Sequence, residues 1–197
     1  MDNEKKYFRF IFILEDIDVT DDSVVDIIFE SGCDDASLGS REKVVYLDFD
    51  REAETFQAAV SSAMEDVGRA GIKVLRVEPG DAVTASEIAH RLGKTREYVR
   101  LLITGKRGKG DFPIPISGVD RPTQIFSWLD VAKWCYQQGI IKDSGLIDNA
   151  EFIMKINHTL QNHPTKNIQS RQSGTKKVST RSSRGRDQTY PVVTKSN

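Results

Sequence analysis

The chemistry most legible in this sequence is that of cations. Arg96 and Arg100 stand four residues apart, and Lys106, Arg107 and Lys109 follow them among Gly105, Gly108 and Gly110. A guanidinium presents a planar fork that matches guanine O6 and N7 or phosphate oxygens, whereas an ammonium acts as a point charge toward phosphate. The glycines let the backbone approach phosphate closely, and no apolar residue lies among them to be buried. Residues 105–110 therefore read as a mobile basic loop, and the chemistry as recognition of a polyanion.

The surrounding residues say what positions these groups. Thr84 and Glu87 have the spacing of a capping box, Ile88, Ala89 and Leu92 form an apolar stripe at helical spacing, and Gly93 stands where a left-handed residue ends the helix. Thr95 can cap a second helix, over residues 95–104, which buries Val99 and Leu102 with Tyr98 at its edge and ends at Gly105. Two short helices around one glycine predict a helix-turn-helix. In that arrangement the N-terminal part of the second helix enters the major groove, so Thr95, Arg96, Glu97 and Arg100 fall nearest to base edges and phosphates.

Further on come Phe112-Pro113-Ile114-Pro115 and the segment Ser127-Trp128-Leu129-Asp130-Val131-Ala132-Lys133-Trp134. A glycine-bounded helix-turn-helix, an FP-x-P element, a short wing and a W-x-x-DV-x-x-W helix resemble the winged helix-turn-helix domains of phage excisionase-type and MerR-type DNA-binding proteins. The likeness covers about residues 82–138. It implies that Thr95, Arg96, Glu97 and Arg100 face DNA and that Lys106, Arg107 and Lys109 lie at the start of the wing. Ser127 and Asp130 have capping spacing for a third helix, whose Val131 and Trp134 close the small core. Trp128 and Trp134 read as core residues on one helical face beside Val131, not as base-stacking platforms. MerR-type activators carry a long coiled coil after this domain, and no heptad run of that length exists here.

Charge is strongly segregated behind a formal net charge of −1. Residues 1–80 carry net −10, residues 81–140 net +3, residues 141–163 net −1 and residues 164–197 net +7. DNA would repel the first segment and attract the second and the last. The first has its own pattern: strands at Tyr7–Leu14, Ala36–Gly39, Lys43–Phe49 and Lys73–Val77, and helices at Asp22–Ser31 and Glu54–Ala70, with the two middle strands joined at Gly39-Ser40-Arg41. This βαββαβ order predicts a ferredoxin-like domain, and the whole chain an α+β protein. RNA binding through its sheet is unlike an RNA-recognition domain, since Val44 to Asp50 pairs its aromatics with aspartates. The acidic residues Glu15, Asp16, Asp18, Asp21 and Asp22 lack the fixed ligand positions of an EF-hand and read as helix capping.

The expected organisation is thus an acidic ferredoxin-like domain (1–80), a winged helix-turn-helix domain (81–140), an amphipathic helix (141–163) and a basic disordered tail (164–197). The helix carries Leu146, Ala150, Ile153, Ile156 and Leu160 on a stripe that packs on the winged domain or pairs two subunits. Tail composition is too poor in apolar residues to offset ordering entropy. The expected partners are double-stranded DNA and a second copy of the chain or another protein, engaged through the N-terminal domain or the helix 146–160. No apolar run approaches 18 residues, no signal peptide is recognisable, and the expected location is the cytoplasm. Cys33 and Cys135 are isolated, His90, His158 and His163 lack partnering ligands, and no Walker loop or catalytic grouping stands out, so neither a metal, a cofactor nor catalysis is expected. Expected function is sequence-specific transcriptional regulation, autoregulatory or antitoxin-like. The alternatives are an excisionase-type DNA-bending factor and a protein adaptor.

Overall fold

The alternation Phe8, Phe10, Phe12, Leu14 along the first strand drives one face of a sheet into a core and leaves Tyr7, Arg9, Ile11 and Ile13 on the other. A computed structural model describes residues 6–162 of the chain. Its elements begin with β1 (Lys6–Leu14), α1 (Asp22–Glu30), β2 (Ala36–Arg41), β3 (Val44–Ala53), α2 (Phe56–Arg69) and β4 (Val74–Glu78). These strands form one antiparallel sheet in the order β2-β3-β1-β4. Val45, Leu47 and Phe49 of β3 meet the β1 phenylalanines, with Phe10 and Phe49 stacked 5.0 Å apart, and Ala59, Val60, Ala63 and Val67 of α2 close the core from above. The protein is of mixed α+β construction, with the expected βαββαβ order in its first half.

Two details depart from the sequence reading. The β2–β3 turn lies not at Gly39-Ser40-Arg41 but at Glu42 and Lys43, both with positive φ (50° and 68°). Gly39 is instead paired across the ladder with Tyr46, whose ring lies over it: a Cβ built there would stand 2.6 Å from the ring. A glycine that reads as a turn residue is thus a seat for an aromatic side chain. On α1, where Val24, Val25, Ile27, Ile28 and Phe29 suggest a buried stripe, only Ile28 is fully buried, and Phe29 is 63% exposed. Asp21 caps this helix as expected, its Oδ1 accepting the Ser23 amide at 2.9 Å.

Two charges, Arg51 and Asp66, are buried within this half. Arg51 of β3 donates from Nε and Nη2 to both carboxylate oxygens of Asp35 (2.7 and 2.8 Å), from Nη1 to Asp66 (2.6 Å) and Ser62 (3.1 Å), and from Nη2 to the Gly32 carbonyl (2.8 Å). All five of its N–H donors are used. Burial pulls its pKa down, but the bonds from Asp35 and Asp66 more than reverse this and leave it raised. Asp66 also accepts from Arg69, so the network ties α2 and β3 to the loop after α1.

The second core belongs to β5 (Ala82–Thr84), α3 (Ala85–Arg91), α4 (Arg96–Ile103), β6 (Ile125–Ser127), α5 (Trp128–Gln137) and part of α6 (Gly145–Asn162). The three-residue strands β5 and β6 pair antiparallel. Asp81 and Ser127 together cap α5, Asp81 Oδ1 accepting the Leu129 amide at 2.7 Å and Ser127 Oγ the Asp130 amide at 3.2 Å. Trp128 and Trp134 are both core residues, as expected. They lie on opposite flanks of Val131, however: Trp128 lies beneath the Arg91 guanidinium, whereas Trp134 meets Phe112.

α6 joins the two cores. Ala150 and Ile147 pack on the second while Phe152, Ile153, Ile156 and Leu160 pack on the first. The helix thus covers more than the second core alone. Its Asn157 side chain also pairs with the edge strand β4, accepting the Val77 amide at 2.7 Å and donating to the Val77 carbonyl at 2.8 Å. An amide side chain so placed satisfies backbone groups that an open sheet edge would leave unpaired. His163 and the segment 164–197, read from composition as a disordered tail, lie outside the described residues.

Candidate nucleic-acid interface

Thr84 starts α3 by accepting the Glu87 amide at 3.2 Å, which is half of the expected capping box. The other half is not made: Glu87 Oε1 accepts from Arg91 Nε at 3.1 Å, one turn further along. Gly93, at φ 60°, then ends the helix. The Gly93 amide donates to the His90 carbonyl (3.1 Å) and the Lys94 amide to that of Ala89 (2.9 Å), the double bond pattern of a Schellman motif. Thr95 caps α4 by accepting the Tyr98 amide at 3.1 Å. Val99 and Leu102 are buried and Tyr98 is half-buried, all as expected.

This packing orients the candidate residues. Thr95, Arg96, Glu97 and Arg100 are all exposed on α4, and Lys106, Arg107 and Lys109 are exposed just beyond its end. The seven are not equivalent. Thr95 Oγ1 is spent as an acceptor in the cap. Arg100 donates from Nε and Nη2 to the two carboxylate oxygens of Glu97, both at 2.7 Å, a fork-to-fork pair. Arg100's bond holds the Glu97 carboxyl below its usual pKa, and the same bond raises that of Arg100. Arg96, Lys106, Arg107 and Lys109 form no ion pair among the described residues.

The basic loop is held more firmly than its glycines suggest. The Arg107 amide donates to the Leu101 carbonyl at 3.0 Å, the Trp134 indole donates to the Gly110 carbonyl at 3.1 Å, and Gly108 sits against the Trp134 ring. Residues 105–110 are thus tied to the core by hydrogen bonds that the glycine pattern does not show. The Arg107 guanidinium is 4.6 Å from the centroid of Tyr98 and the Lys94 ammonium is 5.9 Å from it, so two cations flank one exposed-edge ring. Lys94 was not singled out by sequence. Its signal was its place in the turn, directly before the cap of α4.

The hairpin after this loop is also not where the cations are. Its rungs join Ile116 and Ser117 to Ile125, and Gly118 turns it at φ 75°, where a Cβ would collide with the Thr123 carbonyl oxygen. Lys106, Arg107 and Lys109 precede these rungs; the Arg107 guanidinium lies at Tyr98 of α4, and the Lys109 amide reaches Gln138 at the end of α5. What the segment exposes is apolar: Ile114 is 86% and Val119 72% exposed, and Arg121 is the hairpin's cation. Sequence reasoning missed these residues, because isolated apolar side chains in a Pro- and Gly-bounded segment carry no periodicity. Phe112, of the FP-x-P element, points inward and meets Phe126 and Trp134 edge-on at 5.6 and 5.0 Å.

Elsewhere two acidic residues after β1 accept hydrogen bonds. Asp18 Oδ1 accepts the Thr20 hydroxyl and amide, bonds that lower its pKa, and Glu15 Oε1 accepts the Lys73 amide at 3.1 Å. No group of three or more His, Cys, Asp and Glu among the described residues is placed to hold a metal ion, and no described helix is long and apolar enough to cross a membrane. Comparisons of the chain with known protein families, curated proteins and solved structures found no match.

Proposed function

We propose that this chain is a sequence-specific binder of duplex DNA, acting as a transcriptional regulator that reads the major groove with α4. The observation that carries this reading is the exposed end of the α3–α4 pair. Arg96 on α4 and Lys106, Arg107 and Lys109 just beyond it are exposed with no ion-pair partner among the described residues, Lys94 and Arg107 flank the Tyr98 ring, and Val99 and Leu102 hold α4 by its buried face. Exposed cations can meet phosphate directly, and α4, held by its buried face, is free to present its first turn. The proposed architecture is a ferredoxin-like module followed by a winged helix-turn-helix domain, with the hairpin at 116–125 as the wing.

Division of labour follows from the ion pairs. Arg96 is the proposed base reader, and Lys106, Arg107 and Lys109 are the proposed phosphate contacts. Arg100 reaches DNA only by leaving Glu97. The N-terminal module, at net −10, is turned to protein contact: Val25 and Phe29 are exposed one turn apart on α1, beside Asp22, Asp26 and Glu30. A second copy engaged there would supply the second half-site. Selection of the full chain against random duplexes tests the reading. Recovery of a common sequence, bound about 1–3 kcal/mol more weakly by Arg96→Ala, is expected. Failure to enrich any sequence, or an enriched duplex that Arg96→Ala binds equally well, contradicts it.

A further inference from the structure

A crevice of about 510 Å³ opens where the N-terminal sheet, α3 and α6 meet, a size within the range of small-molecule sites. Its apolar wall is made by Phe56 of α2, Trp128 of α5 and Leu146, Ala150 and Ile153 of α6. Arg9 and Arg91 bring positive charge to the same space. No single element makes this crevice, since β1, α2, α3, α5 and α6 each contribute to it.

Each carboxylate in the lining has one oxygen engaged. Asp81 Oδ1 accepts the Leu129 amide, and Glu87 Oε1 accepts Arg91 Nε. The cations are not fully engaged. Arg91 donates from Nε to Glu87 and from Nη2 to the Gly80 carbonyl at 3.0 Å, and its guanidinium lies 5.0 Å from the Trp128 centroid. Nη1 makes no hydrogen bond among the described residues, and no buried side-chain nitrogen there lacks a partner, so its two N–H groups meet solvent. Among the described residues Arg9 bonds Asp48 alone, through Nη2 at 3.2 Å, and there keeps its other donors. An apolar wall beside unspent guanidinium donors is a binding surface for one kind of small molecule.

We propose that this crevice binds a small planar aromatic molecule carrying a single carboxylate. Its ring lies against Trp128, Phe56 and Ile153, and its carboxylate accepts from Nη1 of Arg91, with Arg9 as the second cation. A neutral aromatic would leave the guanidinium donors unused, and a polyphosphate would meet the apolar wall. The site is independent of the DNA-binding reading, though α3 contributes Arg91 to it.

The chain has two tryptophans, and they report separately: Trp128 lines the crevice, while the Trp134 indole is bonded to Gly110. Titration of the full 15N-labelled chain with naphthalene-2-carboxylate, followed at the two indole N–H resonances and assigned with Trp128→Phe, is the test. A saturable shift of Trp128 with Trp134 unmoved is expected, with naphthalene-2-carboxamide binding at least about tenfold more weakly. Ala150→Phe and Leu146→Phe narrow the crevice from its floor and from its exposed mouth, and each is expected to weaken binding. Leu146 is 39% exposed, so its replacement tests the site even if the buried Ala150→Phe does not fold. Absence of a saturable Trp128 shift at about 1 mM ligand, equal affinity for acid and amide, or full binding by folded Leu146→Phe overturns the proposal.

Discussion

Replacing Glu97 by glutamine should strengthen binding to duplex DNA and make it more sensitive to salt. Glu97 holds Arg100 through two 2.7 Å bonds on an exposed helix face, and those bonds hold its carboxyl below the usual range. Glutamine keeps the side-chain length but removes the charge that binds the guanidinium and repels phosphate. One additional cation on the backbone steepens the plot of log affinity against log salt by about 0.9. Between 50 and 200 mM salt that difference amounts to an extra weakening of about 3.5-fold for Glu97→Gln over the parent. Fluorescence anisotropy with a labelled duplex across that range measures both slopes. Arg100→Ala supplies the control, because in that background Glu97→Gln has no guanidinium to release and should leave the slope unchanged. A slope that does not steepen in Glu97→Gln, or one that steepens equally without Arg100, refutes the clamp as the reason.

Other consequences concern the scaffold. Arg51→Met removes the cation shared by Asp35 and Asp66 and leaves their carboxylates beside a buried apolar side chain, so urea denaturation should show a loss of about 3–5 kcal/mol. A loss under about 1 kcal/mol would mean that water replaces the guanidinium. Gly118→Ala combines a left-handed φ with a collision at the Thr123 carbonyl, and should speed hydrogen exchange of the Ile125 amide without changing that of buried β1 amides; equal protection in the variant contradicts the hairpin geometry. Burial pushes the Cys135 thiol up to about 11 from 9.0. The folded state therefore binds a proton more tightly than the unfolded chain, and the stability this gives is present below pH 9 and lost as pH rises through about 11. Cys135→Ser should flatten this alkaline fall in a pH series of thermal melts, and an unchanged fall would assign it elsewhere.

The sequence was most informative where local chemistry decides the outcome. Thr84, Thr95, Asp21 and Ser127 all cap the helices they were expected to cap, because each needs only its own hydroxyl or carboxylate and an amide two or three residues on. The period-2 pattern of β1 likewise located a core face. What escaped was set by partners distant in sequence. Gly39 is explained by Tyr46 on the next strand, Arg51 by Asp35 and Asp66 on either side of it, and Asn157 by a strand edge eighty residues earlier. The basic loop looked free because its glycines are visible in sequence, whereas the Trp134 indole that anchors Gly110 is not. Among the candidate binding residues, exposure could be read from helical period, but the pairing of Arg100 with Glu97 could not be separated from a role at DNA.

The central claim is that α4 and the loop after it hold duplex DNA, and the salt dependence of duplex binding tests it most directly. The parent chain is compared with a variant carrying Lys106→Gln, Arg107→Gln and Lys109→Gln, which changes exposed side chains and leaves the buried face of α4 intact. Loss of three phosphate contacts predicts a slope shallower by about 2.7, with binding weakened at every salt concentration. A variant that binds with the parent's slope and affinity would place the DNA contacts elsewhere, the cationic segment 164–197 being the nearest alternative, and would contradict the account.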